Sequence, residues 1–120
     1  MAVNLVNVSS ITGESVNGAL TTTTTTDLLS AASSTLVKVN SVVVANIDGT
    51  NSATVTMGIV KSGGSVVHFA YTIAVPADAT LVLVDKNWGM YLEDGDAIEG
   101  GASANIDLTY TIFYEILDDA

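Results

Sequence analysis

A chain of 120 residues suits one domain with one core, and because 48% of it is hydrophobic and only 13% charged, its wet surface must be built from Thr, Ser, Asn and Gly. The three basic residues, Lys38, Lys61 and Lys86, face 13 acidic ones without a single arginine, and a formal charge of −10 excludes phosphate-reading partners: no nucleic acid and no anionic membrane surface is expected. No cysteine is present, which removes disulfides, thiolate metal sites and cysteine nucleophiles.

The opening MAVNLVNVSS lacks the basic and long apolar regions of a signal peptide. No run approaches the roughly 18 apolar residues of a membrane helix, so synthesis and accumulation in a cytoplasm are expected. Residues 3–8 read as a weak strand and Ser15 to about Thr25 as another. The second runs into Thr21, Thr22, Thr23, Thr24, Thr25 and Thr26, a β-branched series that is polar on both faces and therefore weakly specified in register. It belongs at a sheet edge or against a neighbouring subunit, as a plain exposed strand or loop ahead of an exchanged one. Residues 1–30 are expected to form an N-terminal arm or edge strands, and residues 31–120 the β-sandwich body of a single domain. TDLLSAASS is the one place for a helical turn, with Asp27 as its cap.

Period-two alternation takes over from residue 35. TLVKVNSVVVAN (35–46) leads into NIDGTNS, whose donors and acceptors suit a ligand, but whose flanks Val42, Val44, Val55, Met57 and Ile59 spell a β-hairpin with Asp48-Gly49 as a positive-φ turn. In NSATVTMGIV, Ala53, Val55, Met57 and Ile59 point inward and Ser52, Thr54, Thr56 and Gly58 outward. KSGG is a hairpin loop without the helix N-terminus that anion binding exploits. In VVHFAYTIAV the inner set is Val67, Phe69, Tyr71, Ile73 and Val75. VPADA, DKN and EDGD punctuate the strands expected at 80–85, 88–92 and 97–103. The closing strand points Ile106, Leu108, Tyr110, Ile112, Tyr114 and Ile116 one way and Asp107, Thr109, Thr111 and Glu115 the other. Eight or nine short strands without helices predict an all-β fold, an antiparallel β-sandwich or jelly roll.

Chemistry-bearing constellations are sparse. The single histidine, His68, lies mid-strand with no G-x-S-x-G elbow, so it reads as a surface or sheet-interface residue rather than a base. Glu93, Asp94, Asp96 and Glu99 gather around Gly95, yet a glycosidase pair wants aromatic platforms and donors, and Trp88 alone is near. An acidic hairpin turn explains them better. Calcium suits such oxygens, but neither NIDGTN nor LEDGDA has the EF-hand spacing, and one histidine without cysteine makes a poor zinc set. No cofactor, no metal and no enzymatic activity are expected. Trp88, the lone tryptophan, reads as a core or rim residue ahead of an exposed anchor.

In their order, VNSVVVANIDGTNSATVTMGIV, AYTIAVPADATLVLVDKN, MYLEDGDAIEGGASA and IDLTYTIFYEI resemble a small structural protein of tailed bacteriophages over about residues 35–117. The resemblance lies in a V-x-x-V-x-V-A-N-x-D-G-T-N strand and turn, a V-P-A-x-A-T-L turn and strand, a Y-L-x-x-G-D-x-I hairpin and a closing strand ending in Tyr114-Glu115-Ile116. It implies a non-enzymatic virion component, made in the host bacterial cytoplasm. The specific expectation is a capsid decoration (cement) protein on the capsid exterior, partnered by the major capsid protein and by itself as a homo-oligomer, with a trimer favoured. A tail, collar or fibre-associated protein and a carbohydrate-binding module are the alternatives. The expected contacts are residues 1–30 with the Thr21–Thr26 run and the Trp88 to Asp96 hairpin, with Trp88, Met90 and Tyr91 as possible interface residues.

Overall fold

The computed structural model describes residues 3–118. Residues 1, 2, 119 and 120, the outer ends of the expected arm and body, lie outside the described residues. The strands are β1 (Ser10–Ala19), β2 (Thr26–Ser30), β3 (Thr35–Asn46), β4 (Ala53–Val60), β5 (Val66–Val75), β6 (Thr80–Val84), β7 (Met90–Leu92), β8 (Ala97–Ala102) and β9 (Leu108–Asp118). One sheet runs β1-β9-β3-β6, with β7 also on β3, and the other runs β2-β8-β4-β5; every pairing is antiparallel. β6 pairs with Val42 to Ala45 of β3 and β7 with Val37 to Val39, so the two lie end to end as one strand position broken between Asp85 and Gly89.

The chain changes sheet on nearly every connection, and that winding, with β9 inserted between β1 and β3 and β8 between β2 and β4, is a jelly roll of two interleaved Greek keys. The all-β sandwich read from the alternation is therefore the fold. Its core lies between the sheets, where Val42, Val44, Val55, Met57, Ile98, Leu108 and Ile112 are fully buried. A satellite cluster of Val3, Leu36 and Leu117, with Val8 against it, lies apart from that core.

Several local expectations are corrected. Residues 3–8 form no strand: Leu5–Asn7 is a 3-10 turn whose cap, Asn4, accepts from the Val6 amide at 3.0 Å, a local bond that competes with sheet pairing. The second strand is β1, ending at Ala19, so the threonine run is a loop up to Thr25. TDLLSAASS holds no helical turn; Thr26–Ser30 is β2, with Asp27 opposite Glu99, because a place beside β8 outweighs a weak cap signal. Two expected hairpins, NIDGTNS and the Trp88 to Asp96 segment, instead cross between sheets, since β3 pairs with β6, β7 and β9 while β4 pairs with β5 and β8, and β7 and β8 also belong to different sheets. The turn chemistry of a hairpin and of an inter-sheet corner is the same; strand partners decide between them. Gly49 is accordingly not at positive φ.

The expected inner face of β5 is also corrected. Register irregularities opposite Val55/Met57 and Met57/Gly58 add residues to β5 and turn its alternation out of phase. Ala70 and Val75 are buried, Phe69 is half-buried, and Val67, Tyr71 and Ile73 are exposed. Thr72 occupies the left-handed region at φ 48, and its amide donates to Thr56 Oγ1 at 3.1 Å, which fixes the bulge. A β-branched residue there is strained by about 1 kcal/mol or more. Thr72→Asn, which tolerates this region, is expected to raise stability by about 1 kcal/mol, read as a rise of roughly 4 °C in the thermal midpoint.

Candidate functional site

Three features of the surface can carry function. The first is one end of the sandwich, where four connections are tied together. Thr22 N donates to Asn105 Oδ1, Asn46 N to Ala79 O, Ile47 N to Asp107 O, and Ser103 N to Thr54 O. Within the β3–β4 connection, buried Asn46 donates from Nδ2 to Asn51 O at 3.0 Å and Val75 O at 2.9 Å and accepts from the Asp48 amide. Asp48 accepts from the amides of Thr50 and Asn51, and these bonds hold its carboxyl below the usual carboxylate range. The oxygens that made NIDGTNS attractive for a ligand are thus spent on its own backbone.

The threonine loop lies at this end, exposed along its whole length. Its seating depends on Gly101, where a Cβ would stand 2.6 Å from Thr23 O and 2.8 Å from Thr21 O, both backbone atoms that cannot swing aside. Gly101→Ala is expected to displace the loop and cost about 2 kcal/mol by overpacking, measured by denaturant unfolding.

The second feature is the opposite end, where the β4–β5 hairpin meets the β7–β8 connection. Lys61 Nζ bonds Asp96 Oδ2 at 2.5 Å and Glu93 Oε2 at 2.6 Å, while the amides of Ser62 and Glu93 donate to Asp96 at 3.0 and 2.9 Å. Asp96 is 2% exposed. Burial alone would raise its carboxyl, but the Lys61 bond and the two amide bonds outweigh that and leave it below the usual range. The Asp96 and Glu93 carboxylates in turn raise Lys61. Asp94 accepts from the Ser34 amide at 3.2 Å, which lowers it, and Gly95 at φ 83 closes the turn against Ser62. Two of the four carboxylates singled out in the sequence are therefore joined to one lysine in a structural clasp. Among the described residues no group of His, Cys, Asp and Glu is arranged to hold a metal ion.

The third feature is an apolar flank. Trp88, expected in the core ahead of the surface, is 51% exposed: it sits in the 3-10 turn Lys86–Trp88 that interrupts β6 and β7, an excursion that lifts it off the ladder. Its ring meets Phe69 edge-on at 6.2 Å. Val67 is 71% and Tyr71 66% exposed on β5, and Tyr71 meets His68 edge-on at 5.0 Å. Tyr91 is partly exposed on β7, opposite Lys38. Met90, expected as an interface residue, is buried in the core, because alternation about exposed Tyr91 turns both Met90 and Leu92 inward. The structure thus brings Trp88 beside β5 and leaves the threonine loop elsewhere. Val67, Tyr71 and Ile73 were missed as surface residues; the signal available was a strand apolar on both parities, which one buried face cannot absorb.

No helix among the described residues is long and apolar enough to cross a membrane. No protein-family model matches the chain, and no curated protein does. Solved structures that resemble it include the capsid of Ralstonia phage GP4, at 10% identity and TM-score 0.48, covering 100% of this chain and 92% of that one. The T13 IBDV viral particle gives 8% identity and TM-score 0.49, covering 92% of this chain and 32% of the other. The STIV MCP gives 11% identity and TM-score 0.45 over 91% of this chain and 42% of that one. The chain thus spans less than half the length of two of these three.

Proposed function

We propose that the chain is a non-enzymatic virion structural protein of a tailed bacteriophage, a capsid decoration protein that binds the outer surface of the shell as a homo-oligomer. The observation that carries this reading is the jelly-roll winding itself, onto whose connections the ordered turn motifs of the resembling phage proteins fall. The surface chemistry supports it: exposed Trp88, Tyr71 and Val67 supply an aromatic and apolar contact flank. Affinity would come from many copies, each burying a modest area. The threonine loop and Tyr91 remain candidate contacts, while Met90 is placed in the core.

Purified protein mixed with undecorated shells is expected to co-sediment with them, gathered on the shell surface in trimers. Trp88→Ala and Tyr71→Ala together are expected to weaken shell binding at least tenfold, about 1.4 kcal/mol, without lowering the thermal midpoint by more than a few degrees. Folded protein that stays in the supernatant overturns the reading; label confined to the tail in electron micrographs moves it to a tail, collar or fibre station. Exposed Trp88 also favours a second reading, carbohydrate binding. The carboxylates such a site would use are engaged, however, Asp96 by Lys61 and Asp94 by Ser34. Binding on a glycan array would reinstate it.

A further inference from the structure

A two-sheet sandwich has four lateral edges, and three of these carry devices that stop another strand from adding. β2 is 5 residues long and irregular between Asp27 and Leu29. β5 is bulged, with Thr72 at positive φ. β6 is 5 residues long, shifts register at Val42/Val43 on its partner, and gives way to the turn bearing Trp88. Short, bulged and broken edges are the usual protection against edge-to-edge pairing. β1 has none of these: all 10 of its residues pair with β9 in unbroken register, from Ser10 opposite Asp118 to Ala19 opposite Thr109. It contains no proline and no lysine, and most of it is exposed on both faces.

We infer that the free edge of β1 pairs antiparallel with β1 of a second copy of this chain. The occupant follows from the comparison of edges. A head-to-tail contact needs a second open edge on the same molecule, and the other three are blocked, so the pairing is isologous and stops at two molecules. Charge permits it as well. Glu14 is the one charged residue of β1, and its carboxylate already accepts from the Tyr114 hydroxyl at 3.1 Å.

The direction of the free groups can be read from the ladder. Leu20 N donates to Leu108 O, so the even-numbered residues direct their amides at β9, and Ile11, Gly13, Ser15 and Asn17 direct theirs outward. A pairing centred on Ser15 sets Glu14 against Val16 of the other copy and keeps the two carboxylates off one another. A strand of this length, roughly 33 Å, buries well under the roughly 800 Å² per partner of a standard stable interface, so the pairing is weak and concentration-dependent. Two molecules each carrying −10 also repel at long range, so added salt strengthens the pairing, the reverse of binding to a cationic partner.

Light scattering from about 10 µM to about 1 mM is expected to show the mass of the smallest species doubling, at lower protein concentration as salt rises. Ser15→Pro removes an outward donor without touching the β9 ladder and is expected to abolish the doubling. In this cysteine-free chain, Ser15→Cys tests the same contact without threatening the fold: mild oxidation should give a covalent dimer, and Tyr71→Cys on the β5 edge should not. A mass that stays constant to the highest concentration overturns the inference. So does doubling that survives Ser15→Pro while Tyr71→Cys cross-links and Ser15→Cys does not. The outcome is independent of shell binding, so either proposal can fail alone.

Discussion

Ile112→Ala is expected to be among the most damaging single truncations in the core, costing about 4 kcal/mol and lowering the thermal midpoint by about 15 °C. Ile112 is fully buried in β9, opposite Val16 of β1 on one side and Val42 of β3 on the other. Its side chain therefore sits at the centre of the larger sheet, facing the other sheet across the core. Truncation removes three carbons from a site walled by backbone ladders on both flanks, which cannot collapse into the space. The loss is transfer free energy together with a persistent cavity. Urea unfolding should show the midpoint falling with an unchanged slope. Ile11→Ala, on the same ladder but exposed, should change stability by less than about 0.5 kcal/mol. A similar effect at the two positions would show that β9 is not the centre of the core.

Asp96→Ala comes second, at about 3 kcal/mol, because it leaves the amides of Ser62 and Glu93 without their acceptor and releases Lys61. Most of the cost belongs to those two amides, since Lys61 is largely exposed and can turn to water. Lys61→Ala should accordingly cost well under half as much.

The pH dependence follows from the direction of the shifts. Asp96 is held below its unfolded-state value, so its contribution is fully present above the ordinary aspartate range near pH 4 and disappears as the pH falls through the lower, folded value. Asp48 and Asp94 act in the same direction. Lys61, raised in the folded state, contributes below about pH 10.5 and loses that contribution as the pH climbs through its raised value. Chemical unfolding of Asp96→Asn between about pH 2 and pH 7 should show a flatter acid limb than the parent chain. An unchanged limb would sink the assignment.

Much of the fold was legible because β3, β4 and β9 alternate cleanly. Val42 and Val44, Ala53, Val55 and Met57, and Leu108, Tyr110 and Ile112 all face inward as their spacing demands, whereas Ile106, expected inward, is exposed at φ 57 ahead of β9, and Thr56, expected outward, is buried. What the sequence did not disclose lay where one local pattern serves two structures. Asp48-Gly49 and Asp94-Gly95 carry turn chemistry that fits a hairpin and an inter-sheet corner equally, and distant strands made the choice. The bulge at Thr72 inverted half of β5, and nothing local marks a threonine as the residue that will take a left-handed conformation. Threonine repetition suggested a strand by propensity, yet the loop is set by Gly101 some eighty positions away. The apolar flank was hidden for the same reason: Tyr71 and Val67 were assigned to the core by a rule that the bulge suspends. The edge at β1 can be recognised only by comparing all four edges of the finished sandwich.

The position of β9 between β1 and β3 has a consequence for how the molecule is made. Among the described strands the 10 residues of β1 are made first, and the partner that pairs with every one of them is made last. The larger sheet cannot close until β9 has been made, and until then β1 and β3 each wait with an unpaired side. Such long-range closure makes for slow folding. Nascent chains halted before residue 108 should be sensitive to protease throughout, and resistance should arrive in one step once β9 has cleared the exit tunnel.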